Sequence, residues 1–318
     1  MLARLLLRNL IIEILLYLIG GLLLWRYADW SPGSVILLVL ALSLGLRWLS
    51  IVFLFVLAWR YRTPRSTDQQ LGWGGALRLF VTEWAAGMAL FWFFHLLEPW
   101  LGKRDAAPAD ATGTPVLLIH GYLCNAGYWR STVRYLRRQG LANVHTLSLE
   151  PIWGDIDHYA VQVAERVEAL CADYGVQQVL LVGHSMGGLV ARAYLRQYGD
   201  RRRLAGIITL GAPHHGSIHA RFLLIKARNV QQLTPDNSWL ARLNAGADQA
   251  VATPIVSLYS LHDDMVTPQD SAVLDGPNVR NVAVVGVGHL AMAFDRSIHA
   301  LLVTQVEQLL KNSNKTLT

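Results

Sequence analysis

Two hydrophobic patterns divide the chain. Before residue 100, apolar residues run almost unbroken through three stretches, at about 5–25, 34–59 and 76–97. The charged residues inside them are Arg8 and Glu13 in the first, Arg47 in the second, and Arg78 and Glu83 in the third, which also holds His95. A helix that crosses the hydrocarbon needs about 20 residues, so the pattern predicts three spans and an all-α transmembrane region over residues 1–101. The third stretch is the least apolar, and a helix lying in the interface is its alternative. Trp25, Tyr27, Trp30, Trp59, Tyr61 and Trp100 fall at or near the predicted ends, where aromatic belts form. A signal peptide fits poorly, because its apolar core is shorter and a small-residue cleavage site follows it.

From Pro115 onward the period changes. Short apolar runs, VLLIH (116–120), VHTLSL (144–149), VLLVG (179–183), LAGIITL (204–210), PIVSLY (254–259) and VRNVAVVG (279–286), alternate with helix-like segments near 128–139, 155–173, 187–198 and 295–311. That alternation predicts an α/β domain over 115–318, a mostly parallel sheet with helices on both faces. Between the halves, GKRDAAPADATGT (102–114) is small, proline-containing and aperiodic, which predicts a linker.

Composition sharpens the division. With 53% hydrophobic and 16% charged residues and a mean hydropathy of +0.31, the chain is too apolar for an ordinary soluble protein. Eight of its eleven tryptophans lie in the first hundred residues. The net charge of +6 offers no concentrated basic surface in the second half, where 18 Lys/Arg face 16 Asp/Glu. No nucleic-acid motif is present, and the trio Arg201-Arg202-Arg203 reads as a solvated loop. Cys124 and Cys171 read as free thiols and do not fix a redox compartment.

Candidate chemistry sits where such a sheet gathers it, at the carboxyl ends of strands. VLLVG leads into Gly183-His184-Ser185-Met186-Gly187, the G-x-S-x-G spacing of a strained elbow that holds a serine hydroxyl clear of a sheet. VLLIH leads into Gly121-Tyr122, PIVSLYS into Asp263, and VRNVAVVGVG into His289. A serine hydroxyl needs a base to accept its proton, and His289 can serve. An imidazole in that role needs a carboxylate to fix its tautomer, which Asp263 can supply. Asp264 is the rival carboxylate and otherwise a turn residue.

The order Ser, Asp, His, together with LIHGYLCNAGYW (118–129), VGHSMGGLVAR (182–192), TLGAPHHGS (209–217), SLYSLHDDMVTP (257–268) and VGVGHLAM (285–292), resembles the α/β-hydrolase superfamily and, in detail, bacterial lipases and esterases. The resemblance implies the α/β-hydrolase fold, a triad of Ser185, Asp263 and His289, and an oxyanion hole made by the backbone N–H groups of Tyr122 and Met186. One such donor is typically worth about 3 kcal/mol in the transition state. The family spacing favours Asp263 over Asp264. His120 then shapes the oxyanion loop, His184 fills the elbow, and His214, His215 and His219 belong to a lipase motif that carries no metal. Between Ser217 and Ala252 only a small cap fits, with ARFLLIKARNVQQL (220–233) as a helix that serves as lid or crosses the sheet.

These readings combine as a membrane-anchored serine hydrolase that cleaves carboxylic esters of lipids or acyl chains through an acyl-enzyme. No cofactor, metal or nucleic acid is expected. A thioesterase or acyltransferase on the same fold, or a non-catalytic membrane assembly or transport component, is the alternative. Arg47 is expected to pair with Glu13, Glu83 or both, since a lone charge at mid-bilayer costs about 3 kcal/mol on insertion scales. The basic residues Arg4, Arg8, Arg60, Arg62, Arg65 and Arg78 mark the cytoplasmic side. Three spans then put the hydrolase half on the opposite face, periplasmic in a Gram-negative cell.

Overall fold

A computed structural model describes residues 1–102, 107–108, 111–198, 203–245 and 253–317. Residues 103–106 and 109–110 of the expected linker, Arg201 and Arg202 of the basic trio, and 246–252 of the cap segment lie outside the described residues.

Three long helices open the chain: α1 (Leu2–Tyr27), α2 (Pro32–Tyr61) and α3 (Trp73–Leu101). Each is long and apolar enough to cross a membrane. Ser31 caps α2 by accepting the Ser34 N–H at 3.1 Å, with Pro32 at the first helical position, where its missing N–H costs nothing. Along most of their length α1 and α2 face outward with leucine, isoleucine and tryptophan exposed. The one polar cluster within the hairpin is satisfied internally. Arg47 donates to Glu13 Oε1 and Oε2 at 2.9 and 2.7 Å, Tyr17 donates to the same carboxylate at 2.9 Å, and Trp92 lies under the guanidinium at 4.8 Å.

The third helix behaves differently. Its apolar window is 28% buried, against 0% and 6% for the first two. It crosses the α/β half and touches it at several levels. Glu83 meets Leu290 and Ala291, His95 meets Asn125, and the Leu101 carbonyl lies 3.5 Å from Arg130. A π-helical turn at Leu90–Phe94 and Pro99 interrupt its regular ladder. The expected Arg47–Glu83 pairing is therefore not made: Arg47 pairs with Glu13, while Glu83 is fully buried against backbone amides elsewhere. Both ends of the α1–α2 hairpin also reach the α/β half. Met1 meets Glu150, and Thr63 accepts the Asp270 N–H at 3.0 Å.

The second half is a six-stranded, wholly parallel sheet in the order β2-β1-β3-β4-β5-β6. The strands are β1 (Val116–Ile119), β2 (Val144–Leu147), β3 (Val179–His184), β4 (Leu204–Leu210), β5 (Ile255–Ser260) and β6 (Val279–Val284). The central strands β1, β3 and β4 are buried throughout and read as largely continuous apolar runs, as a sheet covered on both faces requires, whereas edge strand β6 is partly exposed along its length. On one face α5 (Ile156–Tyr174) and α6 (Met186–Tyr198) pack through Tyr159, Val163, Leu189 and Tyr194. On the other lie α4 (Arg130–Arg138) and α10 (Arg296–Leu317), joined by Ala86 and Leu90 of α3. The α3 helix is thus part of the hydrophobic core of this half. Strand order reverses at β1, so the crevice between β1 and β3 is the topological switch point where such sheets bind ligands.

The cap segment departs from expectation. ARFLLIKARNVQQL does not form one helix. It breaks into α7 (His219–Phe222) and α8 (Arg228–Gln232), followed by α9 (Ser238–Asn244). Leu223 turns extended, at φ −70° and ψ 129°, and lines a cavity, while Leu224 is left 95% exposed.

The Arg47–Glu13 pair generates a stability prediction. Each of Arg47→Gln and Glu13→Gln should lower the melting temperature of the detergent-solubilised protein by stranding its partner. The double substitution should cost less than the sum of the two, with a coupling of about 1–2 kcal/mol. Strict additivity in a double-mutant cycle would show that the pair does not hold the hairpin.

Candidate active site

The turn after β3 explains the glycines around Ser185. Ser185 has φ +54°, a conformation that costs a non-glycine residue about 1–3 kcal/mol. A Cβ on Gly183 would stand 2.4 Å from the Gly187 carbonyl oxygen, and one on Gly187 would stand 2.3 Å from that of Ile119. Only hydrogen fits at either place. The elbow lifts Ser185 into a cavity of about 270 Å³, and α6 begins with Met186 immediately after it. First-turn N–H groups of a helix lack helical acceptors, so Met186 offers a donor beside the serine. Gly121, at the end of β1, approaches Ser185 so closely that its own Cβ would lie 2.8 Å from the serine Cβ. Tyr122 follows and lines the same cavity.

His289 and Asp263 meet at the ends of β6 and β5. Asp263 Oδ2 lies 2.8 Å from His289 Nδ1, and both side chains are buried. Asp263 Oδ1 accepts the N–H groups of Met265 and Val266 at 2.8 and 2.7 Å, which fixes the carboxylate. With Nδ1 engaged, Nε2 is the imidazole nitrogen left for proton exchange. Burial disfavours the imidazolium, but the negative charge of Asp263, its hydrogen bond and the further charge of Asp264 outweigh it, so the His289 pKa is raised. Asp264, expected as a turn residue, does lie in a bend. It is fully buried and accepts the His289 backbone N–H at 3.0 Å, with its own pKa pushed up to about 6 by burial and by Asp263. Ser185, His289 and Tyr122 thus share one cavity, with Asp263 behind the histidine.

The remaining histidines have local partners. His120 accepts the Leu149 N–H at 2.9 Å and, through its other nitrogen, meets the Gly121 carbonyl at 2.9 Å. Burial pushes it down to about 4, so it stays neutral and braces the loop. His184 stacks on Tyr128, with centroids 4.1 Å apart, and leans on His289 at 4.5 Å. His214 lies between Arg192 and Thr209, and His219 contacts the Leu54 carbonyl of α2. Among the described residues, no three His, Cys, Asp or Glu side chains converge as a metal site.

Sequence reasoning missed the residues that the apolar helices contribute. Glu83 of α3 accepts the N–H groups of Leu290 and Ala291 at 2.7 and 2.9 Å, directly after His289. Its carboxylate lies so near Gly288 that a Cβ there would come within 2.2 Å of Oε2. Pro99 has no N–H to offer the carbonyl four residues back, and Asn125 donates to that carbonyl, of His95, at 2.9 Å. The Asn125 Oδ1 in turn accepts from His95 Nδ1 at 2.8 Å and from the Gly127 N–H at 3.0 Å. One helix therefore braces both the loop after β1 and the loop that carries His289. Leu54 of α2 and Phe91 of α3 line the Ser185 cavity itself. The signals were a carboxylate within an apolar run and a proline near its end.

Residues 114–225 match a family model described as the alpha/beta hydrolase fold, and residues 171–310 match a PGAP1-like alpha/beta domain. The chain carries a domain of the α/β-hydrolase fold that is similar to lipases and esterases. It is 31% identical over 121 residues to a triacylglycerol lipase from Pseudarthrobacter phenanthrenivorans, across 36% of this chain and 37% of that one. It is 32% identical over 161 residues to phosphatidylcholine-sterol acyltransferase from Mus musculus, across 48% and 35%. The α/β-hydrolase chain thus spans little more than a third of these relatives' lengths. Aspergillus fumigatus lipase B shares the fold at a TM-score of 0.54 with 20% identity, over 62% of this chain and 54% of that one. The mature Bacillus licheniformis lipase BlEst2 does so at 0.53 with 19%, over 64% and 94%.

The contact from α3 is testable apart from turnover. Glu83→Ala strands two buried N–H groups, each costing about 1–3 kcal/mol, so the melting temperature should fall and the Leu290 and Ala291 amides should exchange hydrogen faster. Glu83→Gln keeps one acceptor oxygen and should be milder on both counts. Unchanged exchange at those two amides in Glu83→Ala would contradict the contact.

Proposed function

We propose that this protein is a membrane-anchored serine hydrolase that cleaves a carboxylic ester of an acyl chain drawn from the bilayer. The carrying observation is the cavity shared by Ser185 and His289, walled in part by Leu54 and Phe91 of the long apolar helices. Ser185 attacks the ester carbonyl as His289 Nε2 takes its proton. Asp263 holds the imidazole in the tautomer that exposes Nε2 and steadies the imidazolium. The N–H groups of Met186 and Tyr122 receive the oxyanion, and His289 returns its proton to the leaving alcohol. Water, activated by the same histidine, then releases the acyl group. The apolar wall suits an acyl chain, and the lipase relatives agree with an ester substrate.

The membrane topology we propose differs from the sequence expectation. Three spans would separate the N-terminus from the hydrolase half, yet α1 and α2 meet that half at both ends of their hairpin, and α3 packs along it. We read α1 and α2 as the crossing pair and α3 as an interfacial helix bound to the enzyme. Arg4, Arg8, Arg60, Arg62 and Arg65 then lie on the enzyme's side, while the far loop has Arg26 offset by Asp29. By the distribution of basic residues, the hydrolase half faces the cytoplasm.

Similarity to phosphatidylcholine-sterol acyltransferase favours a second reading in which an alcohol replaces water in the final step. Release of free acid in the absence of any added alcohol separates the two.

Ser185→Ala should abolish both hydrolysis of a p-nitrophenyl acyl ester and labelling by a fluorophosphonate, and labelling that survives would sink the nucleophile assignment. Asp263→Asn should lower turnover by about 10⁴. Asp264→Asn should stay active with a shifted pH profile. The free base is the working form of His289, so activity rises with pH through its pKa. Removing a nearby negative charge lowers that pKa, and the acid limb of kcat/KM should move to lower pH. A limb that stays put or moves upward would contradict this role for Asp264.

Topology has its own readout. A green fluorescent protein fused to the C-terminus should fluoresce in a bacterial host, and an alkaline phosphatase fused there should be inactive. The reverse pair of results would restore three spans and an enzyme on the opposite face.

A further inference from the structure

A second cavity, of about 510 Å³, lies where α2 ends and α3 begins. Phe55, Ala58 and Trp59 of α2 and Leu71 and Leu79 form its apolar side, and Arg62, Arg65 and His262 form its polar side. It shares no lining residue with the Ser185 cavity, although Asp263 borders one and His289 the other.

The polar side has donors without acceptors. His262 is 5% exposed, and its Nδ1 accepts the Gly286 N–H at 3.2 Å. The proton of the neutral ring therefore sits on Nε2, which is buried and has no hydrogen-bond partner. Burial and the charge of Arg65 push this imidazole down to about 4, so the neutral form holds at physiological pH. Arg65 is half-buried, and its Nε is likewise buried and unpartnered. Arg62 stands close enough to lower the Arg65 pKa further, after burial itself. Among the described residues, no carboxylate forms an ion pair with either arginine. The one acid in the cavity wall, Asp263, spends both oxygens on His289, Met265 and Val266. Arg62 stands at the exposed rim, where it donates to the Trp59 carbonyl at 3.3 Å and lies over the Trp59 ring, while Arg65 Nε and the His262 Nε2–H are buried and unpartnered beside it. Two buried donors without acceptors, with a second guanidinium at the rim, call for an anion with several acceptor oxygens.

Position decides which anion. The cavity lies at the end of an apolar helix, with Trp59 and Tyr61 beside it, the level at which aromatic side chains meet lipid headgroups. Basic pockets beside membrane helices suit phosphate-bearing headgroups, and the apolar residues on the opposite side suit the first carbons of the attached chains. We propose that the Arg62–Arg65–His262 cavity binds the phosphate of an anionic membrane lipid, at a site separate from the ester-cleaving one. This rests on the membrane reading of the α1–α2 hairpin and is independent of the role given to Ser185.

Binding of phosphatidylglycerol to the full chain in detergent, read by native mass spectrometry, tests this without reference to turnover. Wild-type protein should retain the lipid, in preference to zwitterionic phosphatidylcholine and to diacylglycerol. Arg62→Gln with Arg65→Gln should weaken retention by about 30-fold, from two interfacial arginines. A control pair, Arg4→Gln with Arg8→Gln, removes the same charge away from the cavity and should change it by less than about threefold. Melting temperatures report folding. If the double variant fails to fold, each single variant is read against Arg4→Gln. Equal weakening by both pairs would mean diffuse attraction to the surface and would overturn the site, as would unchanged retention in the cavity variants. Inorganic phosphate that binds as tightly as phosphatidylglycerol, and competes with it fully, would make the ligand a free anion and overturn the lipid assignment. A chain that does not enter nanodiscs would refute the membrane reading instead, an outcome separate from either binding result.

Discussion

A buried carboxylate ties the histidine loop of the α/β half to the third apolar helix. Glu83 comes from a helix whose composition belongs with the membrane region, yet it is fully buried and accepts two backbone N–H groups from the loop that carries His289. Burial makes the loss of either partner costly. The position of the histidine therefore depends on a helix that shares neither the sheet nor the chain neighbourhood of the loop.

The other anchors of α3 follow the same logic. Its regular ladder is broken at the π-turn of Leu90–Phe94 and at Pro99, and Asn125 takes up the carbonyl that Pro99 leaves free. Interruptions of this kind are poorly tolerated against lipid, which offers no hydrogen bonds. They are tolerated where protein covers the backbone, and here the loop after β1 does so. Helix irregularity and active-site geometry are thus one feature. The loop after β1 and the histidine loop are both held by this one helix, through His95 and Glu83, with the Ser185 elbow between them on the sheet.

The parallel sheet and the placing of Ser185, Asp263 and His289 after strands were legible in the sequence because both depend on local pattern, whereas the strand order was not. Alternating apolar runs and helix-like segments fixed the parallel sheet, and Gly183 and Gly187 announced an elbow that admits no Cβ. The choice between Asp263 and Asp264 followed from spacing, but the burial of Asp264 against the His289 N–H did not, because that contact spans 25 residues of chain. The helix over 220–233 was wrongly extended. The structure ends that helix at Leu223, whose extended backbone lets its side chain line the cavity. Hydropathy grouped α3 with α1 and α2, and only long-range contacts revealed that it belongs to the core of the other half. Likewise Arg47 had two plausible carboxylates within reach along the sequence, and tertiary packing selected Glu13.

The shared wall of Leu54 and Phe91 has a consequence for how concentration should be counted. On the membrane reading proposed above, a molecule that reaches the Ser185 cavity past these two side chains comes from the apolar phase around α2 and α3, so occupancy follows its mole fraction among the surrounding amphiphiles. Extra detergent or lipid then dilutes a ligand even when its molarity in the sample is constant. Each added methylene is worth about 0.8 kcal/mol of partition, or roughly fourfold in local abundance. Two inhibitors with equal contacts in the cavity would therefore differ in apparent potency through their chain lengths alone.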